Sequence, residues 1–241
     1  MNRTICLLIP SLIIISLLGC ATYPTSSFVY IPPNEVKYDN EAFVDKPFEV
    51  VWDELVEQLS KSFYVINNIE KASRIINVSF AIDTPEEYVD CGVSTREYGV
   101  KSNMSTYTYE VAESSFYKAA SRAGTSSQFP SILGYQVDHN VNRETSLEGR
   151  ANIFVAPEGN GTKITVNCRY VFKVELSGSY ETRDVIGAVV QRGILPPSSS
   201  SMVFNTNQEK KTNWGTPSEP FFVTCHSTGE LEQGILNLVK H

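Results

Sequence analysis

The sequence predicts an α+β protein in which an N-terminal and a C-terminal helix pack on one face of an antiparallel sheet, with a long inserted middle segment. Three observations support this prediction. Apolar residues recur at helical spacing after residue 44, residues 74–82 and 148–176 alternate between apolar and polar, and a second amphipathic pattern closes the chain. Helices with one apolar stripe need a sheet face to cover that stripe.

The first predicted helix begins near Asp45, which is suited to cap it, and Pro47 falls in its first turn, where a missing N–H costs little. The apolar stripe repeats at spacings of three and four residues. Its members are Phe48, Val51, Trp52, Leu55, Val56 and Leu59. The pattern is the clearest amphipathic helix in the chain.

The strand predictions follow the same logic with a period of two. Ile76, Val78 and Phe80 share one face of a half-buried strand. Residues 148–156 and 162–176 form a predicted hairpin, because the glycines and asparagine at 157–161 suit a tight turn.

Two segments carry no clear pattern. Residues 84–146 and 178–220 are rich in Ser, Thr and Tyr or otherwise irregular. A structureless loop of about 60 residues is unusual in a compact domain, so we expect extra strands in the first segment. The closing helix is predicted to begin at a capping box formed by Ser227 and Glu230.

The N-terminus is predicted to be a targeting signal. Arg3 precedes an apolar run that is too short to span a bilayer and ends in Leu17-Leu18-Gly19-Cys20. This ending resembles the lipobox of bacterial lipoproteins. The resemblance implies a signal peptide over 1–19, lipidation of Cys20, and an outer-membrane location with the body on the periplasmic side.

The predicted organisation is therefore a lipidated Cys20 with a tether over 20–43, followed by one domain over 44–241 with elaborations at 84–146 and 178–220. The membrane is the expected partner of the anchor. Nothing later in the sequence is apolar enough to suggest a span.

Charge and composition narrow the functional classes. The net charge is −7, which argues against nucleic acid as a partner, because phosphate binding needs a basic face. Three dispersed histidines and no close cysteine pair argue against a zinc site. No nucleophile, phosphate-loop or metalloprotease motif is present, so we expect a non-catalytic protein without a cofactor.

The three cysteines beyond Cys20 allow one disulfide and leave one thiol over. Cys168 falls on the apolar face of its predicted strand, which favours a buried, inert thiol. Cys91 and Cys225 are then the favoured pair in an oxidising periplasm.

Aromatic residues are dense in the middle segment, and two interpretations stay open. They either pack an elaborated sheet or form a partner-binding surface, since exposed aromatics are common interface anchors. The candidate surface residues are Tyr98, Tyr107, Tyr109, Phe116 and Tyr117.

The run Pro47-Phe48-x-Val50-Val51-Trp52, the strand around Val78 and the 157–161 turn resemble the helix-grip domains of BamC, a lipoprotein of the machine that assembles outer-membrane β-barrels. The resemblance covers 47–82, 148–176 and 227–240. It implies a helix-grip-like fold and a scaffold that binds envelope proteins, with outer-membrane protein assembly as one setting. The alternative is a lipid or small hydrophobic ligand held between helix and sheet.

Overall fold

A computed structural model describes residues 23–34, 36–123, 135–215 and 220–239. The described residues are mostly β, with 61% in strands, 12% helical and two α-helices. The predicted α+β helix-grip arrangement is therefore wrong. The predicted signal peptide over 1–19 and the lipidation of Cys20 lie outside the described residues.

A long antiparallel ribbon organises the fold. Strands β9 (Tyr135–Glu158) and β10 (Gly161–Arg183) pair continuously from the turn at Gly159 to the far end. At about 3.3 Å per residue, 23 residues extend for roughly 75 Å along the strand path. Other strands add to different stretches of this ribbon, which gives the molecule two halves.

The first half surrounds the ribbon beside its turn, and we call it the helix-backed half. Strands β3 (Val65–Glu70) and β4 (Ile75–Ile82) continue the sheet beyond β9, and β2 (Glu41–Val44) pairs with β10. Helix α1 (Phe48–Lys61) covers this sheet.

The apolar core of this half is closely filled. Val51, Leu55 and Leu59 of α1 have no exposed surface, and Trp52 is 4% exposed. They pack in one cluster with the inward side chains of β4, β9 and β10. These side chains occupy the space where the sequence suggested a hydrophobic ligand.

The second half surrounds the far end of the ribbon, and we call it the arginine half. Strand β8 (Ser115–Ala123) pairs with β9 and β11 (Val189–Ile194) pairs with β10 at this end, while β12 (Ser198–Asn205) pairs with residues 169–176 in the middle of β10. A separate sheet of β1 (Thr25–Ile31), β6 (Val93–Val100) and β7 (Asn103–Glu110) completes this half.

A small sheet and a second helix lie between the halves. Strand β14 (Phe222–Ser227) pairs with β13 (Lys210–Asn213) and with β5 (Val89–Asp90), which follows a short 3-10 turn at Pro85–Glu87. Helix α2 (Glu230–Asn237) packs on β10. No helix in the described part of the chain is both long and apolar enough to cross a membrane.

The fold class was mispredicted because the two unassigned segments are mostly strand. Residues 84–146 supply β5 to β8 and half of β9, and residues 178–220 supply β11 to β13. The predicted tether over 20–43 is also corrected, because β1 begins at Thr25 and pairs with β6 along its length. Short, polar, Tyr- and Thr-rich strands lack the apolar alternation that marks a sheet over a purely apolar core.

The predicted capping box is likewise absent. The N-cap of α2 is Gly229, in the left-handed conformation with φ 89° and without a side-chain cap. The Ser227 hydroxyl instead accepts a hydrogen bond from the Gly229 backbone N–H at 3.1 Å. A glycine tolerates this positive φ, which a residue with a Cβ rarely adopts.

Candidate functional site

A cavity of about 140 Å³ lies in the arginine half, between the β1–β6–β7 sheet and the ribbon. Two arginines line it, Arg96 from β6 and Arg143 from β9. Aromatic residues supply much of the remaining wall: Phe28, Tyr109, Tyr117, Trp214 and Phe221. We call this the arginine cavity. Its volume is close to that of an engineered protein cavity of about 150 Å³ that binds benzene.

Arg96 is held by three aromatic neighbours. Its guanidinium carbon lies 4.3 Å from the centre of the Phe28 ring and 4.2 Å from that of Tyr117. Its Nε donates a hydrogen bond to the Tyr109 hydroxyl at 2.9 Å. Stacking on both rings fixes the planar group, which leaves its remaining N–H donors in a defined direction.

Arg143 is the more deeply buried of the two, with 5% of its surface exposed. Its terminal nitrogens donate to the backbone carbonyl oxygens of Val111 and Glu113. Its guanidinium carbon lies 5.4 Å from the ring centre of Tyr109. Burial lowers the pKa of Arg143, and the nearby charge of Arg96 lowers it further.

The positive charge of this site is poorly balanced. Neither Arg96 nor Arg143 forms a salt bridge with a carboxylate in the described ranges. The charge of Glu113 raises the pKa of Arg143 by less than the charge of Arg96 lowers it. Neutral carbonyls satisfy the N–H groups but do not neutralise a buried cation. The cavity is therefore a place where a small anion would be stabilised.

The disulfide between Cys91 and Cys225 joins two walls of this cavity. Cys91 lies just before β6, the strand that carries Arg96, and Cys225 lies in β14 with the cavity residue Val223. This pairing is the one the sequence favoured, and Cys168 is the buried free thiol. The Tyr30 hydroxyl reinforces the link by bonding to the backbone of Cys91 and Thr224.

Gly92 shows how tightly the disulfide region is built. Its φ is 76°, and a Cβ at this position would lie 2.2 Å from the carbonyl oxygen of Ile31. Only glycine lets β1 approach the start of β6 this closely. The Phe28 and Arg96 walls depend on that approach.

The predicted aromatic surface is only partly exposed. Tyr109 and Tyr117 are 8% and 6% exposed, and their rings stack in parallel with centres 5.9 Å apart. Tyr98 and Tyr107 are half-buried, whereas Phe116 is 46% exposed. The partner-surface prediction is therefore wrong for Tyr109 and Tyr117, which form the cavity interior.

Sequence reasoning missed both arginines and one acid. Glu232 reads as part of a solvated acidic pair, yet it is completely buried on α2. Its carboxylate accepts hydrogen bonds from the hydroxyls of Tyr170 at 2.6 Å, Thr206 at 2.7 Å and Tyr38 at 2.9 Å. Burial, with the charge of Glu232, raises the pKa of Tyr38. The acid is satisfied by these donors, so its role is to fasten α2 to β10.

A larger depression of about 620 Å³ lies on the outer face of the helix-backed sheet. It contains Arg150 and Arg169, which face each other across β9 and β10. Both arginines are exposed, so water already solvates their charges. The smaller arginine cavity is the better candidate because Arg143 is buried there and Arg96 is half-buried.

Comparison with protein-family models, with curated proteins and with solved structures finds no match to this chain. The described residues contain no group of three or more His, Cys, Asp or Glu side chains placed to hold a metal ion. The assignment of function therefore depends on the cavity and on the N-terminal sequence.

Proposed function

We propose that this protein is a non-catalytic, lipid-anchored binding protein of the bacterial outer membrane, and that its arginine cavity holds a small anion with a flat apolar part. The observation that carries the proposal is the buried guanidinium of Arg143 beside the half-buried Arg96, neither of them salt-bridged to a carboxylate in the described structure.

The chemistry of the walls defines the ligand class. Guanidinium groups bind carboxylates and phosphates through charge-assisted hydrogen bonds. The rings of Tyr109, Phe28 and Phe221 offer flat apolar surface beside that charge. The Nε1–H of Trp214, which is buried and has no hydrogen-bond partner in the described residues, is a further donor at the wall. A volume of about 140 Å³ limits the ligand to roughly the size of benzoate.

The anchoring part of the proposal depends on Leu17-Leu18-Gly19-Cys20 alone. A single acyl chain gives only marginal membrane attachment, whereas several chains on one cysteine hold a protein firmly. The mass of the mature protein tests this part directly, because cleavage before Cys20 and acylation change it in a defined way.

The cavity is tested by titrating the full chain with benzoate and with benzamide in a calorimeter. The two probes share size and ring, but only benzoate is charged. We expect benzoate to bind at least about tenfold more tightly, since each 1.4 kcal/mol of charge-assisted bonding gives that factor. Arg143→Met should abolish the difference, and Arg169→Met is the matched control at an exposed arginine.

Equal affinity for benzoate and benzamide would contradict an anion site. An effect of Arg169→Met as large as that of Arg143→Met would place the binding on the outer face instead. Arg143→Lys separates charge from geometry, because lysine keeps the charge but not the planar fork that bonds a carboxylate at two points.

Protein binding, the role first suggested by the sequence, is the second candidate. Strand β3 is paired only with β4 in the described structure, so its other edge is open. Two apolar residues of β3, Val65 and Ile69, are 62% and 40% exposed. An exposed apolar edge can accept an added strand from a partner. A photocrosslinker at Val65 in intact membranes should then capture an envelope protein, and a crosslinker at Glu57 on the exposed face of α1 should not.

A further inference from the structure

The described chain begins beside one end of the molecule. The Tyr23 hydroxyl donates a hydrogen bond to the backbone carbonyl of Asp184 at 3.3 Å. Asp184 opens the turn between β10 and β11, so the N-terminus of β1 and this turn lie together. Tyr23 is three positions beyond Cys20, and an extended chain covers at most about 3.6 Å per residue, or roughly 11 Å in all.

We infer that the β10–β11 turn contacts the lipid bilayer and that Ile186 at its tip enters the headgroup region. This inference rests on the proposed lipidation of Cys20. The polar zone on each side of the hydrocarbon core is roughly 5–8 Å deep, so a cysteine anchored there holds the turn within reach of it. The short link replaces a long flexible tether, because β1 is fixed in a sheet from Thr25 onward.

The turn has the surface expected of such a contact. Ile186 is 80% exposed, and Val190, just beyond the turn, is 45% exposed. Moving apolar side chains from water into the membrane interface is favourable, and a nearby lipid anchor holds them in position for it. The turn itself is well formed, since the Asp184 carboxylate accepts hydrogen bonds from the backbone N–H groups of Ile186 at 3.0 Å and Ala188 at 2.9 Å.

Charge at this end does not oppose the contact, although the chain as a whole carries −7. Arg183 pairs with Asp138 at 3.0 Å and with Glu181 at 2.6 Å, and Arg192 pairs with Glu181 at 2.8 Å, so two arginines balance these two acids. Arg122 is exposed and lies beside Pro24 and Thr25 in a shallow depression of about 200 Å³. An exposed guanidinium at this end of the molecule can bond to a lipid phosphate.

The inference is tested on the full-length lipidated protein in phosphatidylcholine vesicles. A polarity-sensitive fluorophore is attached to Ile186→Cys, or to Ile69→Cys as the matched control on β3 in the other half. The label reports one site, because Cys168 is buried and Cys91 is bonded to Cys225. We expect a blue shift at 186 and several-fold stronger quenching by lipids with a quencher near the headgroup than at 69.

Equal quenching at 186 and 69, with lipidation verified by mass, would overturn the inference while leaving the anchor intact. An unmodified mass would instead remove the proposed anchor itself. A label-free measurement checks the result: amide hydrogen exchange at 184–188 should slow several-fold in vesicles relative to unlipidated Cys20→Ser protein in solution. Unchanged exchange would also count against the contact.

Discussion

The two halves of this protein solve the same packing problem with different chemistry. The helix-backed half buries aliphatic and aromatic side chains such as Leu55 and Ile153, both with no exposed surface. The arginine half stacks Arg96 between Phe28 and Tyr117 and buries Arg143 beneath Tyr109. An apolar core serves stability, whereas a core that buries Arg143 beside Arg96 leaves a charge that a ligand can neutralise.

The largest expected effect comes from the disulfide that closes the arginine half. Replacing Cys91 and Cys225 together by alanine should lower the free energy of unfolding by about 4–5 kcal/mol in the chain-entropy model, because the bond spans a sequence separation of 134. Urea denaturation gives the value. Benzoate binding should weaken as well, since both walls lose their link.

Cys168→Ala is the matched control, because it removes a buried thiol from the same apolar cluster as Cys91 and Cys225 without opening a covalent loop. It should cost much less stability and leave benzoate binding intact. If the double alanine variant lost no more stability than Cys168→Ala, the disulfide would not be a structural tie.

Leu55→Ala tests the helix-backed half alone. Leu55 has no exposed surface in the main cluster, so the cavity left behind should cost about 3 kcal/mol. The folded variant should still bind benzoate as the natural sequence does. If the folded variant also lost benzoate binding, the two halves would be coupled, and the contrast between an apolar half and a ligand-binding half would not hold.

Arg143→Met should show the opposite pattern. Removing the buried charge relieves its desolvation but leaves the carbonyls of Val111 and Glu113 without their donors, so the change in stability should stay within about 1 kcal/mol. Benzoate binding should be lost. Thermal denaturation and calorimetry on the same sample separate the two effects, and a loss of several kcal/mol would mean that the arginine is mainly structural.

The smallest effect is expected in alkaline solution. Burial raises the pKa of Tyr117, opposed by the charge of Arg96, and burial raises the pKa of Tyr170, reinforced by the charges of Cys168 and Glu232. A raised folded-state pKa stabilises the fold below the ordinary tyrosine value of about 10, and that stability is lost as pH rises through the folded value. Tyrosinate absorbance of Tyr117→Phe and Tyr170→Phe variants should show Tyr117 ionising first; the reverse order would contradict the charge assignment.

The same contrast explains what the sequence could predict. Helix α1, strand β4 and the hairpin turn at 157–161 were predictable because their side chains meet an apolar core and repeat with its period. The Cys91–Cys225 pair followed from elimination once Cys168 was placed on an apolar face.

The arginine half could not be predicted in this way. Its interior positions on β6 and β7 are Ser94, Arg96 and Tyr109, which look like solvated residues in a sequence. Their burial depends on partners far along the chain, such as Arg143 and Phe221, and no local period records those contacts. Glu232 was missed for the same reason, since its hydroxyl donors come from Tyr38, Tyr170 and Thr206 on separate parts of the chain.

The most direct test of the central claim follows the arginine side chains themselves during a benzoate titration. In protein with nitrogen-15-labelled arginine, the Nε–H resonances of Arg96 and Arg143 should shift together and give one dissociation constant. The resonances of the exposed Arg150 and Arg169 should stay in place. Equal shifts at all four arginines, or none at Arg96 and Arg143, would contradict an anion-binding cavity in this half of the molecule.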